Sequence, residues 1–313
     1  MVKSTVTQQD LLDVIVVGGG PAGLSAALML GRCRRNVLVL DDGEPRNKAS
    51  HAMHGFLSQD GMSPAHFLSI SREQLLPYPS VTILKLRAVN ASREGEGFVV
   101  YTSDGQSFHG RKMLMAAGVV DHVPSQPGFR DLYGISVFLC PYCDGWELRD
   151  QPLAVYGNGD DKGAGLALEM TLWSNNIVLC TDGPSELTEQ GLKHLAKHGI
   201  SVRQERIICL RGEGRIPHKT PFDVVFESGP VLRRTGLFFN TGRHQASDLA
   251  ARLGCDTFEV KGCKVDSKQM THIAGLYVAG DASRDVLQVI VAAAEGAQAA
   301  IAINAALLDE DMS

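Results

Sequence analysis

The stretch VIVVGGGPAGLSAALML, which begins at residue 14, constrains the fold of this chain more than any other. Val14 to Val17 form an apolar, β-branched run of the kind that fills a parallel strand buried on both faces. Gly18-x-Gly20-x-x-Gly23 follows at once, and a run of small apolar residues over 24–30 predicts a helix. A second apolar run, 36–40, ends on Asp41 and Asp42, about 20 residues past the glycines. Strand, glycine turn, helix, strand and acid in that order make a dinucleotide-binding unit. Gly18 permits the tight turn, Gly20 lets backbone approach a pyrophosphate, and Gly23 lets the helix pack closely on the strand. The helix start offers N–H groups to phosphate, and Asp41 is placed to accept hydrogen bonds from a ribose.

The pattern returns once, altered. A strand over 153–156 runs into Gly157-x-Gly159, but the third position is Lys162, and glycines reappear only at 163 and 165. The following strand, 177–180, leads into TDGPSEL. Segments 113–118 (MLMAAG) and 237–242 (LFFNTG) are apolar runs that end in small residues, and they bracket this second half. They read as crossings where the chain leaves one domain and returns to it. The expected architecture is α/β: two Rossmann-like nucleotide-binding domains of three layers (ββα), the second inserted into the first. Their expected extents are 1–118 with 242–313, and 119–241. Residues 81–116 read as a three-strand meander, 242–254 as a surface helix, 276–278 as a strand closing on Gly280-Asp281, and 286–308 as a long helix.

Composition removes some function classes. The net charge of −5 lacks the basic excess of a nucleic-acid binder. The first 13 residues contain no apolar run resembling a leader, and 286–308 carries Gln288, Glu295, Gln298 and Asn304, which are costly in lipid. A cytoplasmic protein without a membrane span is therefore expected. Seven cysteines, an odd number with only one close pair, do not make a disulfide framework. Cys33, Cys180, Cys209, Cys255 and Cys263 read as small core residues.

The close pair is Cys140-Pro-Tyr-Cys143, followed by Asp144 and Gly145. A structural zinc site normally needs four ligands, and no second CxxC accompanies this one. No metal site is expected. A fixed bridge across so short a loop would remove little unfolded-state entropy. A redox-active pair is the favoured reading: a CxxC supports a low-pKa thiolate, and Asp144 can give or take a proton as the dithiol cycles. CPYC also occurs in glutaredoxin-type sites, but those begin short chains, whereas this motif lies mid-chain ahead of a nucleotide fold.

Taken together, Gly18-Gly19-Gly20-Pro21-Ala22-Gly23, Cys140-x-x-Cys143-Asp144-Gly145, Ala279-Gly280-Asp281 and Gln288 with the small residues up to Gly296 resemble the low-molecular-weight thioredoxin reductase family. The resemblance spans nearly the whole chain. It implies an FAD domain built from the two chain ends and an inserted pyridine-nucleotide-type domain that carries the CxxC. It also implies that Asp281 contacts the ribityl or pyrophosphate region of the flavin, and Gln288 its pyrimidine end. Cys143 would face the flavin, Cys140 would be the interchange sulfur, and Asp144 the acid–base group. The family forms homodimers and acts on thioredoxin-like proteins.

Departures from that pattern bear on the electron donor. Where NADPH-using members carry arginines, this chain has 181–186, TDGPSE, with Asp182 and Glu186 and no cation. A 2′-phosphate would be repelled there. The donor could be NADH, with Asp182 on the free ribose hydroxyl, or ferredoxin; or the enzyme could oxidise a small-molecule or protein dithiol and pass the electrons to oxygen. His51 and His54, in RNKASHAMHGFLSQDG (46–61), are candidates for a base near the substrate thiol; the alternative is an ordinary covering loop. Trp146 is expected to pack against the redox loop. A flavoprotein whose cysteines play no part, and a non-enzymatic flavin-bound sensor, are the competing classes; the intact CxxC-Asp-Gly argues against the first.

Overall fold

The computed structural model describes residues 11–157, 161–212, 216–258 and 262–313. The chain divides into two compact units. Residues up to 48, 65–120 and 243–313 form the first; 49–64 and 121–242 form the second. Both are Rossmann-like α/β units.

In the first unit the parallel order is Val81–Leu84, Val37–Leu40, Leu11–Val17, Ser107–Met115. The long strand Ser107–Met115 then takes two partners. Its last residues pair in parallel with Leu276–Val278, and its first residues pair antiparallel with Gly97–Thr102, which pairs in turn with Ala88–Glu94. Alternation along the strands separates two cores, because successive side chains point to opposite faces. Val14, Val16, Val37 and Val39 pack with the helices Pro21–Arg32 and Val289–Met312, while Ile15, Val17, Leu38 and Leu40 pack with Phe98, Val100 and Phe108 of the antiparallel layer. Burial on both faces is why these strands read as unbroken apolar runs rather than alternating ones.

Val289–Met312 is long and apolar enough, by length and composition, to cross a membrane. In the unit, Ala292, Gly296, Ala299, Ala300, Ile303 and Leu307 are its buried face, and small residues let it approach Pro21–Arg32 closely. Glu295 is also buried. Its carboxylate accepts the Gly280 backbone N–H at 2.8 Å and pairs with Arg284.

The second unit has a five-stranded parallel sheet in the order Ser201–Arg203, Ile177–Cys180, Leu153–Tyr156, Gly236–Phe239, Val137–Phe138. One face holds Ala154, Tyr156, Val178, Leu237 and Phe239 against Phe222, Val224 and Phe226 of a three-stranded antiparallel layer. The other holds Leu153, Val155, Leu179 and Phe238 against helical residues such as Ala167 and Leu195.

Several local expectations change. Residues 81–94 are two strands, not one: Val81–Leu84 continues the parallel sheet and only Ala88–Glu94 joins the meander. Residues 242–254 are not one helix. Arg243–Gln245 is a short strand and the helix is confined to Leu249–Arg252. Cys33 is exposed, at the C-cap of Pro21–Arg32, rather than in the core, and Cys209 is half-buried. The stretch 49–64, which follows the first unit's acid in sequence, belongs to the second unit: Met53 bridges to Met62, and Gly134 lies against the Ala49 carbonyl.

Candidate active site

Two sets of residues carry chemistry, one in each unit. In the first, Gly18, Gly20, Pro21, Ala22, Asp41, Asp42, Gly280, Asp281 and Gln288 line one cavity of about 650 Å³. That size is in the range of small-molecule and cofactor sites. The turn that opens it has little tolerance for a side chain. A Cβ on Gly23 would sit 1.9 Å from the Gly18 carbonyl oxygen, which closes the strand–helix junction. A Cβ on Gly20, by contrast, would meet nothing within 4 Å, so backbone here borders open space. Pro21–Arg32 starts with Gly20 as its N-cap and no side-chain cap, so its first N–H groups are left for an anion.

The acids around this cavity are held in place. Asp41 accepts a hydrogen bond from Arg72 at 2.9 Å and from the Gly43 N–H at 3.1 Å. Asp281 pairs with Arg46 at 2.9 Å. Gln288 is the N-cap of Val289–Met312, so the N–H groups of that helix start at the cavity wall. An open-fronted glycine turn, an acid at the second strand end and a second helix start fit an FAD molecule along the cavity.

In the second unit Cys140 and Cys143 are joined as a disulfide with Cα atoms 5.3 Å apart. The motif is one helical turn, Pro141–Asp144, with Cys140 as its N-cap in extended conformation. Pro141 suits the first helical position because its missing N–H would have had no partner there. The Cys143 and Asp144 N–H groups both donate to the Cys140 carbonyl. Gly145 must be glycine: a Cβ would lie 2.5 Å from the Pro141 carbonyl oxygen and 2.8 Å from the Trp173 ring. Tyr142 and Trp146 are exposed, and Trp146 carries Arg149 over its face instead of packing down on the redox loop.

Asp144 is mostly buried, and its Oδ1 lies 2.9 Å from Nε2 of His218, 74 residues further along the chain. Burial pushes the Asp144 carboxyl above its ordinary range; the bond to His218 offsets part of this, and the charge of Glu147 adds to it. Glu147 lies 3.6 Å from Nε2 of His54, whose Nδ1 is 3.5 Å from Asp60. His54 is thus beside the motif within this unit, while His51 is exposed. His218 and Glu147 were not visible as site residues in the sequence. IPHKTPF carries no pattern that marks its histidine.

The second nucleotide-fold half is built differently. Gly157 packs on Gly163, Gly159 lies outside the described residues, and Asp182 sits in the left-handed region (φ 56°). The Asp182 carboxylate accepts the Ile207 N–H at 2.6 Å, the Tyr156 hydroxyl at 3.1 Å and the Gln126 amide.

The glycine-turn cavity and a CxxC disulfide with its buried acid, each on a Rossmann-like unit, define a disulfide oxidoreductase of the nucleotide-binding kind. The sequence model of the pyridine nucleotide-disulphide oxidoreductases matches residues 12–297, and the chain belongs to that family. A relative from Arthroderma benhamiae described as a "probable thioredoxin reductase" is 31% identical over 87% of this chain and 74% of its own. The solved structure of TrxB from Bacillus anthracis, described as a "putative thioredoxin reductase", superposes with a TM-score of 0.90 at 33% identity, covering 96% of this chain and 99% of that one. An oxidoreductase from Agrobacterium tumefaciens gives 0.88 at 32% identity with the same coverage. The protein is a thioredoxin reductase-like flavoprotein oxidoreductase.

Proposed function

We propose that the chain relays two electrons between FAD, held in the first unit, and a protein or small-molecule dithiol or disulfide that exchanges with Cys140–Cys143 in the second. The observation that carries this is the disulfide itself, placed on one helical turn with a largely enclosed carboxyl one residue beyond it. Gly18 to Gly23 and the start of Pro21–Arg32 would hold the pyrophosphate, Asp41 the adenosine ribose, Asp281 the ribityl side and the N–H groups after Gln288 the pyrimidine end. Bound FAD would supply an electron pair to the disulfide, or take one from the dithiol.

The chain's own residues do the exchange. The Cys140 thiolate attacks one sulfur of a substrate disulfide, forming a mixed disulfide, and the first substrate thiolate leaves with a proton from Asp144. Cys143 gives its proton back to Asp144 and attacks Cys140; the second substrate thiolate departs, and the Cys140–Cys143 bond re-forms. Two electrons pass from the dithiol to the substrate. The reverse sequence oxidises a substrate dithiol. The natural substrate would be a thioredoxin-like protein or a small dithiol, and the working form a homodimer.

A second reading, dithiol oxidation with oxygen as acceptor or reduction with ferredoxin as donor, is supported by Asp182. Three protein donors already engage its carboxylate, and the segment 181–186 contains no cation to pair with a 2′-phosphate. The holoenzyme, expected to be yellow with about one FAD per chain, is titrated without oxygen. Bleaching by NADH or NADPH supports the reductase direction. Bleaching by dithiothreitol alone supports the oxidase direction. A chain that takes up no FAD ends both readings.

A further inference from the structure

His218 has three independent restraints. Its ring stacks on Phe138 with centroids 4.8 Å apart and planes 9° from parallel. Its backbone N–H donates to the Ile135 carbonyl at 2.9 Å. Its backbone occupies the left-handed region (φ 61°), which strains a residue with a Cβ and persists only where the surroundings enforce it. These restraints aim Nε2 at Asp144 from a different strand connection. A histidine needed only to fill space would not require a strained backbone, and a buried carboxyl needed only for the turn would not require a titratable partner.

We propose that His218 is the positioning partner of Asp144, and that the two share one proton which they lend to the thiol–disulfide exchange at Cys140–Cys143. The inference rests on the acid–base role of Asp144 proposed above. In its resting form the pair holds one proton between His218 Nε2 and Asp144 Oδ1. That proton goes to the first leaving thiolate, and the pair recovers it from the Cys143 thiol, so the pair is unchanged over a cycle. The second substrate thiolate takes its proton from solvent. His218 holds the carboxyl in one orientation and shares the proton across the 2.9 Å contact, so that the carboxyl presents it to the leaving thiolate from a fixed position.

Two further groups face Asp144. Glu147, three residues further along, opposes ionisation of Asp144, and His54, which neighbours Glu147, favours it. Exchange therefore follows macroscopic steps that belong to the whole cluster. Removing His218 should delete one of those steps and leave the Glu147–His54 contribution.

The test uses the holoenzyme reduced with dithiothreitol, freed of reductant and mixed anaerobically in stopped flow with 5,5′-dithiobis(2-nitrobenzoate) as the disulfide, from pH 5 to pH 9. His218→Asn keeps a hydrogen-bonding group but cannot hold the proton; His218→Gln is the alternative if the first variant does not fold. Expected for either folded variant is exchange slowed at least about tenfold at neutral pH, with one inflection missing from the pH profile and flavin content unchanged. A His218 variant with the wild-type profile overturns the proposal. Asp144→Asn separates the two readings. If it leaves exchange untouched, the acid–base role of Asp144 fails and the partnership with it. If it slows exchange while His218→Asn does not, only the partnership fails.

Discussion

Asp41 and Asp182 both follow the second strand of one supersecondary unit, one residue past it in the first copy and two in the second, and their surroundings differ in kind. Asp41 lines a cavity, bonded to an arginine and a loop N–H that also border solvent-accessible space. Asp182 is turned inward and its carboxylate is taken by Tyr156, Gln126 and the Ile207 backbone. The same sequence signal, an acid after an apolar strand, faces a cavity in one unit and is a structural tie in the other. What distinguishes them is what the neighbouring layer offers. Tyr156 places a hydroxyl at the end of the second unit's first strand, where the first unit has Val17.

The largest effect that sharpens this contrast is on the second unit's own chemistry. Cys143→Ser should reduce dithiol turnover to background while the first unit keeps its flavin; retained turnover by the yellow variant would move the chemistry away from the motif. Next is Gly23→Ala. A methyl 1.9 Å from the Gly18 carbonyl must open the turn, an overpacking cost of about 1–3 kcal/mol or more, and the purified variant should be colourless. Binding one FAD per chain would mean that the cavity does not depend on that junction.

The crossed pair of acids is smaller and more telling. Asp182→Ala takes the acceptor from the Ile207 N–H and the Tyr156 hydroxyl, leaving Gln126 only Tyr156, and should cost about 1–3 kcal/mol in chemical denaturation with no change in flavin content. Asp41→Ala removes a largely solvent-screened ion pair worth roughly 0–1 kcal/mol, but should weaken FAD at least about tenfold in dialysis. The opposite pattern of losses would exchange the two roles.

The smallest effect is on pH dependence. The Asp144 carboxyl is raised by burial, so the folded chain holds this proton more tightly than the unfolded one. The stability it contributes is complete below the unfolded carboxylate value, about pH 4, and is lost as pH rises through the higher folded value. Asp144→Asn does not undergo that loss. Its thermal midpoint relative to wild type should therefore climb from pH 4 to pH 8, even as exchange slows. A constant difference across that range would mean that burial does not raise the carboxyl.

Both glycine turns, the strand–helix alternation around them and the CxxC were legible because each is written in adjacent residues. Strands buried on both faces announce themselves as apolar runs, and a turn that excludes a Cβ announces itself as glycine. Helix Val289–Met312 was legible for a related reason: a close helix–helix contact needs a stripe of small residues. Glu295 was visible only as a polar interruption of that run, not as the acceptor that ties Gly280 to the helix. Residues 49–64 group with the second unit although they follow Asp41 in sequence, because sequence adjacency says nothing about which sheet a loop packs on.

The sequence by itself determined that this chain forms two nucleotide-type units and carries a cysteine pair close enough to bridge, since those follow from short-range sterics and from the chemistry of sulfur. Only the tertiary structure decided which acid stays open and which is consumed, and that a histidine 74 residues away faces the carboxyl beside the disulfide. Those outcomes depend on donors and rings brought together across long loops. A one-dimensional pattern cannot encode them, because the partner's identity is fixed only when the layers pack.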